Sequence, residues 1–256
     1  MSSIDQLFSL QGRQALVTGG SSGLGAEIAK ALAAAGAEVL LVARRRERLD
    51  TVKALIEEAG GTAVTVAADI SDDAGLDLVV RHARSREKHV DILVNAAGLN
   101  ARKPPEELTR AEWDATVHLN LTVPFFLARE LIEPMTRAGW GRVINIASLQ
   151  SVRAFPDSAP YGASKGGVVQ LTRAMAEAWS GSGVCCNAIA PGLFPTELTE
   201  ALYANPEMVE AMAARTCVGR NGELPDIWGL AIFLASPASA FITGQTVFID
   251  GGLTAK

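Results

Sequence analysis

Gln14-Ala-Leu-Val-Thr-Gly-Gly-Ser-Ser-Gly-Leu-Gly25 is a short apolar run that breaks into glycines and passes, from Gly23, into an alanine-rich stretch. Such a run reads as a strand buried within a parallel sheet. The alanine-rich stretch reads as a helix reaching about Ala35, with Gly36 at the left-handed stop position. Glycines between a strand and a helix let backbone amides approach a diphosphate, and the helix N-terminus adds partial positive charge. The literal Gly-x-Gly-x-x-Gly pattern is not matched, because the glycines are Gly19, Gly23 and Gly25, with Ile28 in place of the last.

The alternation continues outward from this unit. Further strands are expected at 38–42, 62–67, 91–95, 142–147, 184–190 and 246–250. Helical spacing falls between them, as with Leu49, Val52 and Ile56, or Leu76, Val79, Val80 and Ala83. A long helical region covers 110–138, where Pro124 and Pro134 should bend it or shorten its ends. Two more helices cover 160–180 and 225–235. Seven strands alternating with six or more helices predict an α/β fold. It is a single doubly wound Rossmann-type domain over 1–256, with a seven-stranded parallel sheet flanked by helices. No linker, repeat or low-complexity segment divides it.

Composition narrows the function classes. The 256 residues are 48% hydrophobic and 20% charged, as in a chain with a well-buried core. The net charge of −5, from 23 basic and 28 acidic residues, speaks against general affinity for nucleic acid or an anionic membrane. No apolar run is long enough to span a bilayer, and Asp5 and Gln6 interrupt the apolar stretch that a signal peptide needs. A cytoplasmic protein is expected. Cys185, Cys186 and Cys217, with His82, His89 and His118, form no ligand spacing, so the thiols read as packing residues and no metal site is expected.

The end of the second strand distinguishes the nicotinamide cofactors. Ala43 stands where NAD sites place an acidic residue, and Arg44-Arg45-Arg46 follows. With guanidinium groups and no carboxylate at that place, a 2′-phosphate is accommodated, which favours NADP(H) over NAD(H). Arg46 reads as a solvated helix start.

Tyr161-Gly-Ala-Ser-Lys165 carries the chemistry. A lysine four residues after a tyrosine shares its helix face. An ammonium held there is expected to pull the phenol below its usual pKa of about 10, making a proton donor and acceptor for neutral pH. Ser148, ending a separate strand, offers a hydroxyl to the same carbonyl or alcohol oxygen.

Together these residues resemble the short-chain dehydrogenase/reductase family over nearly the whole chain. Thr18-Gly-x-x-x-Gly-x-Gly25 is similar to its cofactor loop, which implies contacts from Gly19, Ser21, Ser22, Gly23, Leu24 and Gly25. Asn95-Ala96-Ala97-Gly98 is similar to its Asn-Asn-Ala-Gly motif, with Ala96 replacing the second asparagine at the cost of a sheet contact. Asn120, Ser148, Tyr161 and Lys165 match the four catalytic positions. The resemblance implies that Tyr161 exchanges a proton with the substrate oxygen and Ser148 orients it. Lys165 would grip the nicotinamide ribose, and Asn120 would anchor a water. Asp69 with Ile70 would meet the adenine, Arg44 and Arg45 the 2′-phosphate, and Pro191, Gly192 and Thr196 the nicotinamide. The resemblance also implies a homotetramer or homodimer packed through the helices at 110–138 and 160–180.

Leu7-Phe8-Ser9-Leu10, Arg102-Lys103-Pro104 and Ser148-Leu-Gln-Ser151 are similar to segments of gluconate 5-dehydrogenases and related sugar-acid or polyol dehydrogenases. The core motifs are equally similar to 3-oxoacyl-carrier-protein reductases, although Trp179-Ser-Gly-Ser-Gly183 lacks the basic residues that an acidic carrier protein would need. The segment 193–215 is the expected substrate lid, including Phe194. Arg102, Gln150 and Arg153 are candidate pocket residues, and Arg102 or Arg153 is expected to pair with a substrate carboxylate. His118, two residues before Asn120, should face elsewhere on a helix and read as packing. A dinucleotide-binding regulator without turnover is the non-enzymatic alternative, against which stand four filled catalytic positions.

Overall fold

Strand β1 (Gln14–Thr18) is buried at all five positions, so it needs a strand on either side and helices above and below. It pairs in parallel with β2 (Glu38–Ala43) through Val17↔Leu41 and with β4 (Ile92–Asn95) through Val17↔Val94. Strands β3 (Thr62–Ala67), β5 (Gly141–Ile146), β6 (Val184–Pro191) and β7 (Thr246–Ile249) complete the order β3-β2-β1-β4-β5-β6-β7, parallel throughout. The winding direction reverses between β1 and β4. Successive connections diverge there and leave a crevice at the carboxyl ends of the strands. The computed structural model describes residues 3–256; Met1 and Ser2, at the start of the 1–256 domain, lie outside the described residues.

The period-2 alternation of the strands divides the core. Ala15, Val17, Leu41 and Val94 pack under α2 (Gly23–Ala34), α3 (Arg46–Glu58) and α10 (Ile227–Ala235), against Ile28, Leu32, Ile56 and Leu234. Leu16, Leu40, Val42 and Leu93 face the other way. They pack against Val79 of α4 (Asp73–Arg84), Leu127 and Leu131 of α6 (Val123–Ala138), and Met175 of α7 (Ala159–Trp179). A short helix, α1 (Ser3–Phe8), precedes β1 and brings Phe8 to within 6.5 Å of Phe233, centroid to centroid. Six residues are too few to display a helical period, so it escapes a sequence reading.

The helical region 110–138 is three pieces. Helix α5 (Arg110–Val117) opens on a capping box between Thr109 and Glu112, passes into a π turn (His118–Thr122), and only then continues as α6. Pro124 lies just past the π turn, and the carbonyl four residues before it, that of Asn120, lies within that turn. The proline thus removes an α-helical bond where the helix is interrupted, while Pro134 lies within α6.

After β6 the chain forms a 3₁₀ turn (Glu197–Thr199), α8 (Glu200–Tyr203) and α9 (Pro206–Arg215). Leu193, Leu202 and Met212 bury themselves there with Leu253. The end of β7 is bound to the end of β6. Gly192 N donates to the Ile249 carbonyl at 3.0 Å, and a Cβ at Gly192 would stand 2.8 Å from Asp250 Cα. The Asp250 carboxylate accepts from Gly252 N, Thr254 N and Thr254 Oγ1 at 2.7–2.9 Å. Among the described residues no helix is long and apolar enough to cross a membrane.

A buried amide ladder joins β4, β5 and α7. Asn95 Nδ2 donates to Asn145 Oδ1 at 2.9 Å, and Asn145 Nδ2 donates to Thr172 Oγ1 at 3.0 Å. Both asparagines are about fully buried, so removing one strands its partners without water. Asn145→Ala should destabilise the protein by roughly 2 kcal/mol. Calorimetry should register this as a Tm lower by about 4–8 °C at this chain length, whereas an unchanged Tm would contradict the ladder's role.

Candidate active site

The crevice is shaped first by Thr18. Its Oγ1 accepts from Ala96 N at 3.1 Å and Ala97 N at 3.2 Å, so the chain leaving β4 is fastened to the end of β1. Gly19 then turns at φ 67°, and a Cβ there would lie 2.8 Å from Ala97 N. Only glycine meets both demands. Gly25 packs α2 onto this loop so closely that a Cβ would be 2.4 Å from the Gly19 carbonyl oxygen. Ser22 is the N-cap of α2, yet its side chain caps nothing, leaving the first-turn amides of α2 directed at the crevice.

Beyond the loop lies a charged end. Arg45 Nη2 donates to Glu197 Oε2 at 2.7 Å, Arg48 Nη1 to Glu197 Oε1 at 2.6 Å, and Ser22 Oγ to Glu197 Oε2 at 3.2 Å. The Arg45 guanidinium foremost, with Ser22 and Arg48, holds the Glu197 carboxyl below its ordinary range. Arg44 is exposed, 3.7 Å from the Asp69 carboxylate. Asp69 is lowered chiefly by its hydrogen bonds from Ser71, at 2.6 Å from Oγ and 3.0 Å from N.

Tyr161 and Lys165 lie at the other end, one turn apart on α7, both buried. Lys165 Nζ donates to the Ile146 carbonyl at 2.6 Å and sits 5.7 Å from the Tyr161 ring centroid. Ser148 is the N-cap of a 3₁₀ turn (Leu149–Ser151), and its Oγ accepts from Gln150 N at 3.1 Å. That bond uses an acceptor lone pair and leaves the hydroxyl proton available. Ser151 Oγ donates to the Lys165 carbonyl at 2.8 Å, which ties the turn to α7.

The electrostatics correct one expectation. Burial raises the Tyr161 phenol above its usual value, and the Ser148 hydroxyl and the Arg102 charge only partly draw it back. Burial also lowers the Lys165 ammonium to about 8. The lysine does not pull the phenol down, because its short bond is turned to the Ile146 carbonyl and the ring is removed from water. Desolvation prevails over the neighbouring charge.

Asn120, from the π turn, is buried with its side chain fully engaged. Nδ2 donates to the Leu99 carbonyl at 2.9 Å and to Ser164 Oγ at 3.0 Å, while Oδ1 accepts from Leu99 N at 2.9 Å. Both amide protons are committed to protein, so the side chain braces the chain leaving β4 and has no proton to spare for a water. Gly98 lies against it: a Cβ there would stand 3.1 Å from Asn120 Oδ1 and 3.7 Å from Lys165 Nζ.

One cleft of about 870 Å³ joins the charged end to the buried end. Gly19, Ser21, Ser22, Gly23, Leu24, Gly25, Arg44, Arg45, Asp69 and Ile70 line it on the charged side. Ala96, Gly98, Ser148, Tyr161, Lys165, Pro191, Gly192, Phe194 and Thr196 line it toward the buried side. Asn95 does not reach it; its amide belongs to the ladder with Asn145. Gln150 and Arg153 also stand outside the lining, Arg153 being exposed and donating to the Lys256 carbonyl. Arg102 is exposed too, yet its charge is felt at the Tyr161 phenol.

Sequence reasoning missed His118 and Glu197 as cleft residues. His118 Nε2 lies 3.1 Å from the Ser71 carbonyl while Asn120 meets Leu99 and Ser164, so the two side chains face apart as their spacing implies, and His118 reaches the cleft beside Ser71. The donor set fits a dinucleotide: unpaired helix amides suit a diphosphate, guanidinium groups a further anion, and the phenol, hydroxyl and ammonium a reacting oxygen.

Comparison with known proteins agrees with this geometry. A family model described as Enoyl-(Acyl carrier protein) reductase matches residues 19–254. Gluconate 5-dehydrogenase of Gluconobacter oxydans (strain 621H) is 43% identical over 249 residues, 97% of either chain. Galactitol 2-dehydrogenase (L-tagatose-forming) of Cereibacter sphaeroides is 37% identical over 97% of either chain. The crystal structure of a gluconate 5-dehydrogenase from Burkholderia cenocepacia J2315, in complex with NADP and tartrate, matches with a TM-score of 0.93 at 38% identity, covering 99% of each chain. A glycine loop at the sheet's reversal point, a buried Ser–Tyr–Lys group and full-length relatives of one kind lead to one assignment: this chain belongs to the short-chain dehydrogenase/reductase family.

Proposed function

We propose that the protein is an NADP(H)-dependent oxidoreductase that interconverts a ketone and a secondary alcohol on a small sugar acid or polyol of the gluconate type. The observation that carries this reading is the convergence of Ser148, Tyr161 and Lys165 at one end of a cleft whose other end holds Arg44 and Arg45. A bound nicotinamide supplies or accepts the hydride. The chain supplies alignment and proton control. Tyr161, its phenol kept protonated by burial, donates its proton to the substrate oxygen in reduction and takes it back in oxidation. The Ser148 hydroxyl would donate to the same oxygen, and the remaining Lys165 N–H groups would hold the nicotinamide ribose. Asn120 keeps the chain at Leu99 in place beside them. The segment 193–215 acts as the lid, with Phe194 facing the substrate.

The relatives named above act on gluconate and a polyol by their names, and one holds NADP with tartrate, a hydroxy dicarboxylate. Arg102, whose charge is felt at the phenol, is our candidate partner for a substrate carboxylate. Gln150 and Arg153 would border the pocket at its rim. The assembly we propose is a homotetramer or homodimer. Phe126 and Trp113 stay partly exposed on the helices at 110–138, and β7 leaves a sheet edge beside the fully exposed Phe241. Three unpaired thiols suit a reducing, cytoplasmic setting.

Cofactor absorbance followed against gluconate, 5-ketogluconate, galactitol and an acetoacetyl thioester, with both dinucleotides, tests the activity. Turnover with NADP(H) on the first three, but not the thioester, is expected. Tyr161→Phe should lower kcat/KM by about 100- to 10,000-fold while leaving dinucleotide Kd within about threefold. Equal activity in the variant would remove Tyr161 as the proton donor, and no turnover by the wild type on any of the four compounds would leave a dinucleotide-binding regulator as the better reading. The pH profile has a definite sign. Tyr161 retains its proton above its ordinary range, so the first charge lost on raising pH is that of Lys165, and carbonyl reduction should be level below about 8 and decline above it. A reduction rate still climbing well above that pH would contradict the assignment. Arg102→Ala should raise KM for 5-ketogluconate by about tenfold with KM for galactitol unchanged; equal effects on both would remove Arg102 from carboxylate recognition.

A further inference from the structure

The acidic residue missing from the end of β2 is supplied from elsewhere in the chain. Glu197 arrives from the segment after β6, beside Thr196, whose side chain stands close enough to meet a Cβ at Gly23 at 3.1 Å. Its two carboxylate oxygens take up one N–H each from Arg45 and Arg48, and the hydroxyl proton of Ser22. Arg45 also reaches Ser22 Oγ at 3.4 Å, so the four side chains form one closed group at the adenosine end of the cleft. Guanidinium and hydroxyl donors converging on a tetrahedral or planar oxyanion are what a phosphate monoester requires. Here a resident carboxylate already satisfies them.

We propose that Glu197 is a specificity-determining residue that occupies the donors of the 2′-phosphate, so that a phosphorylated ribose binds only by displacing its carboxylate from Arg45 and Ser22. This rests on the NADP(H) reading above and extends it to how the preference is moderated. Two anions cannot share those donors without repulsion, and the Glu197 carboxyl, held low by Arg45, does not escape by taking up a proton near neutral pH. The unphosphorylated ribose makes no claim on the same guanidinium, so its binding is indifferent to the carboxylate. Because the ion pairs are about half exposed, each is weak, and the discrimination is moderate rather than absolute. The same contact fastens the first turn of the segment 193–215 to α3 and to the glycine loop, so a 2′-phosphate that frees Glu197 also frees that turn.

The test isolates the adenosine half of the cofactor. Calorimetric Kd values for 2′,5′-ADP and 5′-AMP are measured on the full chain for the wild type, Glu197→Gln and Glu197→Ala. Both variants lie on an exposed turn and leave Tyr161, Ser148 and Lys165 untouched. The expected result is a Kd for 2′,5′-ADP about 3- to 10-fold lower in both variants, with 5′-AMP changed by less than about twofold and the difference shrinking at high salt. An unchanged ratio of the two ligands in a wild type that already prefers 2′,5′-ADP would overturn the inference and leave the cofactor reading intact. No preference for 2′,5′-ADP in the wild type or in either variant would remove both. A loss of affinity for 2′,5′-ADP in the variants would make Glu197 an organiser of the site and likewise overturn the competition.

Discussion

A buried ammonium bonded to a strand-end carbonyl holds this site together. Lys165 Nζ, on a buried side chain, donates to the Ile146 oxygen at 2.6 Å. That bond locks α7 to the end of β5, and because Tyr161 is one turn away on the same helix, it also sets where the phenol stands. Ser148 follows Ile146 by two residues, so the same strand end places the hydroxyl. Three chemical groups are thus positioned by one contact between a helix and a strand. Burial of the ammonium, which the carbonyl only partly offsets, lowers the affinity of the lysine for its proton, to about 8.

The wider frame makes that contact possible. Parallel strands bring all carboxyl ends to one side, and the reversal between β1 and β4 opens the crevice there. Thr18, bonded to the amides of Ala96 and Ala97, keeps the two diverging chains together at the bottom of the crevice. The Asn95–Asn145–Thr172 ladder does the same for β4, β5 and α7. Asn95 therefore serves the cleft without touching it, as a support for the strand ends that do.

Local pattern carried the fold. The apolar runs that predict 62–67 and 184–190 lie within a residue of β3 (Thr62–Ala67) and β6 (Val184–Pro191); β6 is buried at every position, and burial on both faces writes itself directly into composition. Gly36 and the Tyr161–Lys165 spacing were readable for the same reason, being consequences of near neighbours. What stayed hidden depends on distant geometry. Arg45 and Glu197 are 152 positions apart, and nothing in either neighbourhood announces the other. His118 does face apart from Asn120, as residues two apart should, but its place in the cleft beside Ser71 depends on a contact 47 positions away that spacing does not contain. The sign of the phenol's perturbation needed the burial of the ring, which spacing alone does not contain.

The bond between the ends of β6 and β7 links the outside of the molecule to its interior. Gly192 forms part of the cleft wall and abuts the backbone of Asp250, just past the outermost strand. A subunit or antibody fragment that stiffens that outer margin would also stiffen the wall, and a loosened margin would let the wall breathe. Any contact made at that margin, far from the reacting atoms, would thereby acquire mechanical leverage over how tightly a nucleotide is enclosed.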